Sequence, residues 1–422
     1  MVGIIFVLLL LVGIPIAFVI GISSLSYLFT KDMPLVLLAQ RFYVSVTNYL
    51  ILSVPMFILA GKLMNDAGIT RRLVDFFNVI LGHIRGGLAY ITIVASIFFA
   101  GITGAGAADA AAIGSIMIPA MKKQGYSAEY SGAVTAVASI IGPTIPPSIA
   151  MVVYGASAGV SIAKLFLGGI IPGLLIGFAQ LIVAYIYAKK HNVPVRERTL
   201  SVTTVIRGLK DAILALLMPV ILMGGILTGV FTPTEAAGVS VLYAVVVGFL
   251  VFRELTLQKL LNALYETALV TATILFILAF AHLFGWILSA ENVPTHVAEF
   301  FIHITENRIL LLLLLNILFL IVGTFMETLA SVILLTPVLL PLAQSIGIDP
   351  VHFGVIMVVN LNIGLVTPPL GVCLFVAAPI AEVSIENLVK SCVPFILASI
   401  VVLLIITYIP SLVLFIPNLL MR

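Results

Sequence analysis

Apolar positions in this chain gather into long unbroken runs rather than alternating or following a single helical stripe. Nine runs approach or exceed the length that crosses a bilayer core, about 20 residues: 3–29, 44–64, 128–155, 163–188, 211–230, 235–252, 260–289, 351–378 and 392–417. Two further stretches, 86–121 and 309–341, are apolar but interrupted near the middle by small and polar residues. The pattern predicts an all-α polytopic membrane protein. The first run begins at Met1 with no basic leader and no small-residue cleavage pattern, so it is expected to be a retained span.

Composition agrees. The chain is 62% hydrophobic and 9% charged, whereas a soluble domain carries about 25% charged residues. The net charge of +3 is spread over short loops. It reads as a topology signal and not as a nucleic-acid surface. Cys373 and Cys392 lie in or beside apolar runs, and no cysteine–histidine cluster suggests a metal centre or a disulfide scaffold. There is no Walker loop, and Gly101, Gly104 and Gly106 do not have dinucleotide-loop spacing. No acid–histidine constellation suggests an enzyme, and no cofactor is expected.

Loop charges set the direction of each span. His83 and Arg85 precede the first interrupted stretch and Lys122 and Lys123 follow it, so both flanks are expected on the cytoplasmic side. The stretch then either crosses twice or enters and returns. Its arms are short and its turn, Gly101 to Asp109, is too polar in backbone terms to face lipid, which favours a re-entrant hairpin. The second stretch is flanked by Glu291, Glu299, Glu306 and Asp349, and reads as periplasmic. Counting spans through Lys189, Lys190, Arg196, Arg198, Arg253 and Lys259 gives the same answer, with Lys31, Arg41 and Lys164 as minor exceptions.

A repeat underlies this. Gly101, Pro119, Gly125, Gly132, Gly142, Pro146 and Pro147 recur 222 residues later as Gly323, Pro341, Gly347, Gly354, Gly364, Pro368 and Pro369. Chance would supply roughly half a match, so the seven mark one backbone device used twice. The expected organisation is two inverted repeats, 1–190 and 231–422, joined by a basic loop and one linking span over 191–230. The repeats hold hairpins at about 86–121 and 309–341 and broken helices at 128–155 and 351–378.

Each repeat therefore has a hairpin turn and a helix break. The turns are Gly101–Asp109 and Gly323–Thr328; the breaks are Gly142–Ser148 and Gly364–Leu370. Each break begins 41 residues after its turn (142 − 101 and 364 − 323). Adjacent prolines free backbone carbonyls, and at membrane depth those need partners. Sodium, a hard cation, suits carbonyl and hydroxyl oxygens, and half-helix ends aim partial charges into the gap. A pair of kinks filled by neighbouring side chains is the alternative, but matched positions in both halves favour a site. Asp109 and Glu327 are acids at membrane depth, open to a site role or to capping and orienting the hairpin. Glu235, after Thr232, reads as part of a helix N-cap.

These residues resemble the large membrane subunit (DctM/SiaM type) of tripartite ATP-independent periplasmic (TRAP) transporters. The matching stretches are Ala107–Ala112, Gly142–Ser148, Phe231–Ala236, Leu334–Pro341 and Ile363–Gly371, and Ala105 departs from the serine many relatives carry. The resemblance implies a sodium-coupled importer of a small organic acid in a bacterial inner membrane, with an elevator-type ion-transporter fold. It implies two partners, a small membrane subunit and a periplasmic binding protein. It places one sodium site at Gly101, Thr103, Gly106, Gly142, Thr144 and Pro146, and a second at Gly323, Thr324, Glu327, Gly364, Thr367 and Pro368. The substrate region would be Ala105, Asp109, Ser148, Thr328 and Asn362, between the turns. A carrier of the same superfamily that works without partners is the alternative.

Overall fold

Glycine and proline decide where the helices stop. In the computed structural model of the chain, residues 2–421 are described except 192, 194–201 and 306, so Arg196, Arg198 and Glu306 of the charge count lie outside the described residues. Among the described residues the fold is helical and contains no strand. Eight helices among the described residues are long and apolar enough to cross a membrane.

Both interrupted stretches are helical hairpins. The first has arms Gly87–Thr103 and Gly106–Lys123; the second has arms Arg308–Phe325 and Thr328–Ser345. Both expected breaks are present. Ala128–Ala138 runs through one 3-10 turn into an irregular segment, and Ile149–Ala158 resumes the helix. Pro350–Gly364 is likewise followed by Val372–Ala381. The bonds Pro146–Pro147 and Pro368–Pro369 are both cis, so the two breaks share this backbone detail as well.

The packing is reciprocal. The second arm of the first hairpin lies against Val372–Ala381, and the second arm of the second hairpin lies against Ile149–Ala158. At one end Lys122, at the base of the first hairpin, bonds Glu382 at 2.6 Å and the Ala381 carbonyl at 3.2 Å. At the other end the Tyr154 hydroxyl donates to the Pro350 carbonyl at 2.7 Å, just beyond the base of the second hairpin. The hairpins thus enter from opposite ends of the broken-helix pair. Lys122, through its hydrogen bond and its charge, holds the Glu382 carboxyl below the usual carboxylate range. That contact is present above the usual range and is lost as pH falls through the lowered value.

Around this body stand Tyr49–Asp66, Ile162–Lys190, Val202–Leu227, Pro233–Val251, Leu257–Ala290 and Ile385–Tyr408. Lys31 pairs with Glu291 at 3.2 Å and Arg72 with Glu254 at 2.7 Å. Each pair joins loops that the charge count puts on one side of the membrane. Thr232 and Glu235 form a reciprocal capping box at the start of Pro233–Val246, as the sequence suggested. Thr232→Ala is expected to cost about 1 kcal/mol, readable as a lower thermal unfolding midpoint with uptake retained.

Several expected boundaries are corrected. The run 3–29 is not one span but two helices, Val2–Leu11 and Ile16–Thr30, because Gly13 adopts φ +82° and Pro15 follows. The linking span expected at 211–230 is Val202–Leu227, extended at its start by residues too polar for an apolar window. The run 392–417 is Ile385–Tyr408 and then Pro410–Leu420, divided before Pro410. Val36–Val46, Ile69–Leu81 and Val293–Ile304 were not expected. They are too short to span, and Ile69–Leu81 buries one stripe, including Leu73, Phe76 and Phe77, beneath a polar face.

Candidate functional site

The two turns and two breaks meet. In the first turn Gly104 ends its helix with φ +61°, and a side chain there would strike the Pro147 carbonyl of the first break. Gly101 presses instead on the linking helix, where a β-carbon would lie 2.7 Å from Pro219 Cγ and 3.6 Å from the Pro146 carbonyl oxygen. Around Gly106 are Leu365 of the second break, Cys373 and the Ser139 carbonyl, at 3.2–3.5 Å from an added β-carbon. At the second turn and break Gly323 and Gly364 touch backbone to backbone, and the Leu370 amide donates to the Thr324 carbonyl at 3.0 Å.

Asp109 and Glu327 do different things. Asp109 is buried and does not cap its own helix: its carboxylate accepts from the Thr103 hydroxyl across the turn. The second oxygen of Asp109 sits where a Gly142 side chain would go and has no hydrogen-bond partner. Glu327 is a true N-cap, accepting from the Leu329 amide at 3.0 Å and the Ala330 amide at 3.3 Å, and it remains open to solvent.

A polar chain joins the first break to the second turn and the helix before the second break. The Thr328 hydroxyl lies 3.5 Å from Asn362 Oδ1, and Asn362 Nδ2 donates to the Thr144 hydroxyl at 3.2 Å. All three are buried. Thr144 also bonds the Ile140 carbonyl at 3.1 Å. Other hydroxyls are engaged locally. Ser148 donates to the Pro143 carbonyl at 2.5 Å and caps Ile149–Ala158, Thr367 donates to Ile363 at 2.8 Å, and Thr324 to Ile321 at 2.7 Å. Prolines of the first break are buried, whereas Pro368 and Pro369 are exposed.

Two cavities adjoin the turns. The smaller, about 100 Å³, lies between them and is lined by Ala105, Pro143, Glu327, Thr328 and Asn362 among others. The larger, about 560 Å³, shares Ala105 and Glu327, takes in Thr103, and extends to Lys62 and Glu266. Its volume suits a small organic molecule. The geometry thus brings Ala105, Thr328 and Asn362 to one gap. Asp109 lies behind Thr103, and Ser148 is buried as a helix cap. Lys62 and Glu266 were missed, although each is an ionisable residue inside an apolar run, which is a signal in itself.

The model of the family described as tripartite ATP-independent periplasmic transporter, DctM component, matches residues 3–412. The chain belongs to that family. It is 40% identical over 412 residues to the sialic acid TRAP transporter large permease protein SiaM of Vibrio cholerae, covering 97% of this chain and 96% of that one. It is 39% identical over 381 residues to the C4-dicarboxylate large permease protein DctM of Pseudomonas aeruginosa, covering 90% and 89%. It is 44% identical to the isethionate permease protein DctMQ of Oleidesulfovibrio alaskensis over 97% of this chain, and spans 65% of that relative's length. The fold of this permease resembles the YdaH transporter of Alcanivorax borkumensis, with TM-score 0.68, 15% identity and coverage of 97% and 98%. It also resembles Neisseria gonorrhoeae MtrF, with TM-score 0.63, 12% identity and coverage of 90% and 85%. The permease is a multi-pass membrane protein.

Proposed function

We propose that this permease imports a small organic acid across a bacterial inner membrane, coupled to sodium, by moving a transport body against a scaffold. The body comprises both hairpins and both broken helices, and the two halves of the chain are inverted repeats. The observation that carries this reading is the meeting of two hairpin tips, entering from opposite ends, at two proline breaks with a cavity between them. Such a constellation offers carbonyls and hydroxyls to a hard cation and half-helix ends to an anion. One sodium is assigned to the Gly101–Gly106 turn with the Gly142–Pro146 break, and another to the Gly323–Glu327 turn with the Gly364–Pro368 break. The organic acid is assigned to the gap lined by Ala105, Thr328 and Asn362. A small membrane subunit and a periplasmic binding protein complete the transporter; the family's description as tripartite and periplasmic, and the words large permease in the relatives' names, support this.

Uptake by the reconstituted chain with both partners is expected to need a sodium gradient and to fall to background when potassium replaces sodium. Uptake that persists in potassium would remove the coupling. Uptake by the chain alone would remove the need for partners and favour a self-sufficient carrier.

A further inference from the structure

We infer that Lys62 receives the oxyanion head of the substrate in the larger cavity, displacing Glu266 as its partner; the inference rests on the transport reading above. Lys62, on Tyr49–Asp66, and Glu266, on Leu257–Ala290, form an ion pair on the wall of the cavity that Thr103, Ala105 and Glu327 also line. Lys62 is the only basic side chain among the described residues lining either cavity. Both partners are open, with side-chain exposures of 35% and 53%.

Fold stability is a poor account of this pair. An exposed ion pair contributes little to stability, while a charge inside a membrane helix is costly and tends to mark the path of a charged solute. Both residues lie within helices apolar enough to span. Neither turn and neither break contains a lysine or arginine, so amides and hydroxyls there offer only partial charge. Lys62 supplies the full positive charge that a carboxylate or a sulfonate accepts in a charge-assisted hydrogen bond. Lys62 keeps a counter-charge in both states: Glu266 in the empty cavity, and the solute's oxyanion in the loaded one. Glu266, already more than half exposed, then turns to water. On the facing side Ala108, Ala111 and Ala112 leave room for the rest of the solute.

The test uses the full chain reconstituted with both partners, and sialic acid, succinate and isethionate as probes, which separate carboxylate from sulfonate. A probe carried by the unmodified complex is followed in Lys62→Gln, Lys62→Arg, Glu266→Gln and the exchanged Lys62→Glu/Glu266→Lys protein. Lys62→Gln is expected to raise KM by at least about tenfold, and Lys62→Arg, which keeps the positive charge, to raise it by less. Glu266→Gln, which frees the lysine from its competitor, should lower KM, and the exchanged protein should not recover. Equal losses in the two glutamine variants with recovery on exchange would overturn the inference, as would an unmodified KM in Lys62→Gln. Failure of the unmodified complex to carry any probe would overturn the transport reading, and this inference with it.

Discussion

Gly364→Ala is expected to reduce uptake to less than about a tenth and to lower the thermal unfolding midpoint. The added β-carbon would lie 2.6 Å from Gly323 Cα and closer still to the Gly323 carbonyl. These are backbone atoms, so no side chain can swing aside. The second hairpin tip and the second break must separate, in a region where Leu370 and Thr324 are also hydrogen-bonded. Overpacking of this kind costs about 1–3 kcal/mol, and here it also spreads the carbonyls assigned to an ion. Gly238→Ala is the control. Gly238 lies in Pro233–Val246 with open space around it, so alanine should be neutral or stabilise by up to about 1 kcal/mol. Full activity in Gly364→Ala would show that turn and break need not approach so closely.

The second large effect is expected at Asp109. Its carboxylate is buried, holds the Thr103 hydroxyl, and leaves one oxygen unpartnered beside Gly142. None of the ion pairs seen among the described residues involves it. A buried carboxylate without a counter-charge is costly, and a cation in the first turn would relieve that cost. Asp109→Asn keeps the shape and the Thr103 contact but removes the charge. The sodium concentration giving half-maximal uptake is expected to rise by at least about tenfold, with the unfolding midpoint in sodium-free buffer unchanged or raised. If sodium dependence is the same in Asp109→Asn, the carboxylate only orients the hairpin.

What the sequence revealed depended on how locally each feature is encoded. The two breaks and two turns were visible because glycine and proline record backbone shape directly, and the echo from Gly101 to Pro147 into Gly323 to Pro369 needs no gap. The Thr232–Glu235 cap was legible for the same reason: donor and acceptor sit three residues apart. Short amphipathic helices such as Ile69–Leu81 escaped, since an apolar window of spanning length averages Arg71, Arg72 and Asp75 against Leu73 and Phe77. The division of the first run at Gly13 and Pro15 escaped because apolarity continues across it. The bond from Asn362 to Thr144 is purely tertiary, joining residues 218 apart. Nothing in either neighbourhood foretells it. Lys62 and Glu266 were each conspicuous in an apolar run, but their pairing across 204 residues was not.

The contact between Gly101 and Pro219 has a wider consequence. Pro219 belongs to Val202–Leu227, the one long helix that falls between the two expected repeats. It braces the first hairpin tip, whereas the second hairpin packs on Leu257–Ala290 and Val293–Ile304, both within its own half of the chain. A machine whose two postures interchange the roles of its halves would rest equally in either if the halves were all it had. This brace breaks that tie. In a carrier that works as proposed, the resting preference is therefore adjustable from outside the binding chemistry, through the linking helix alone.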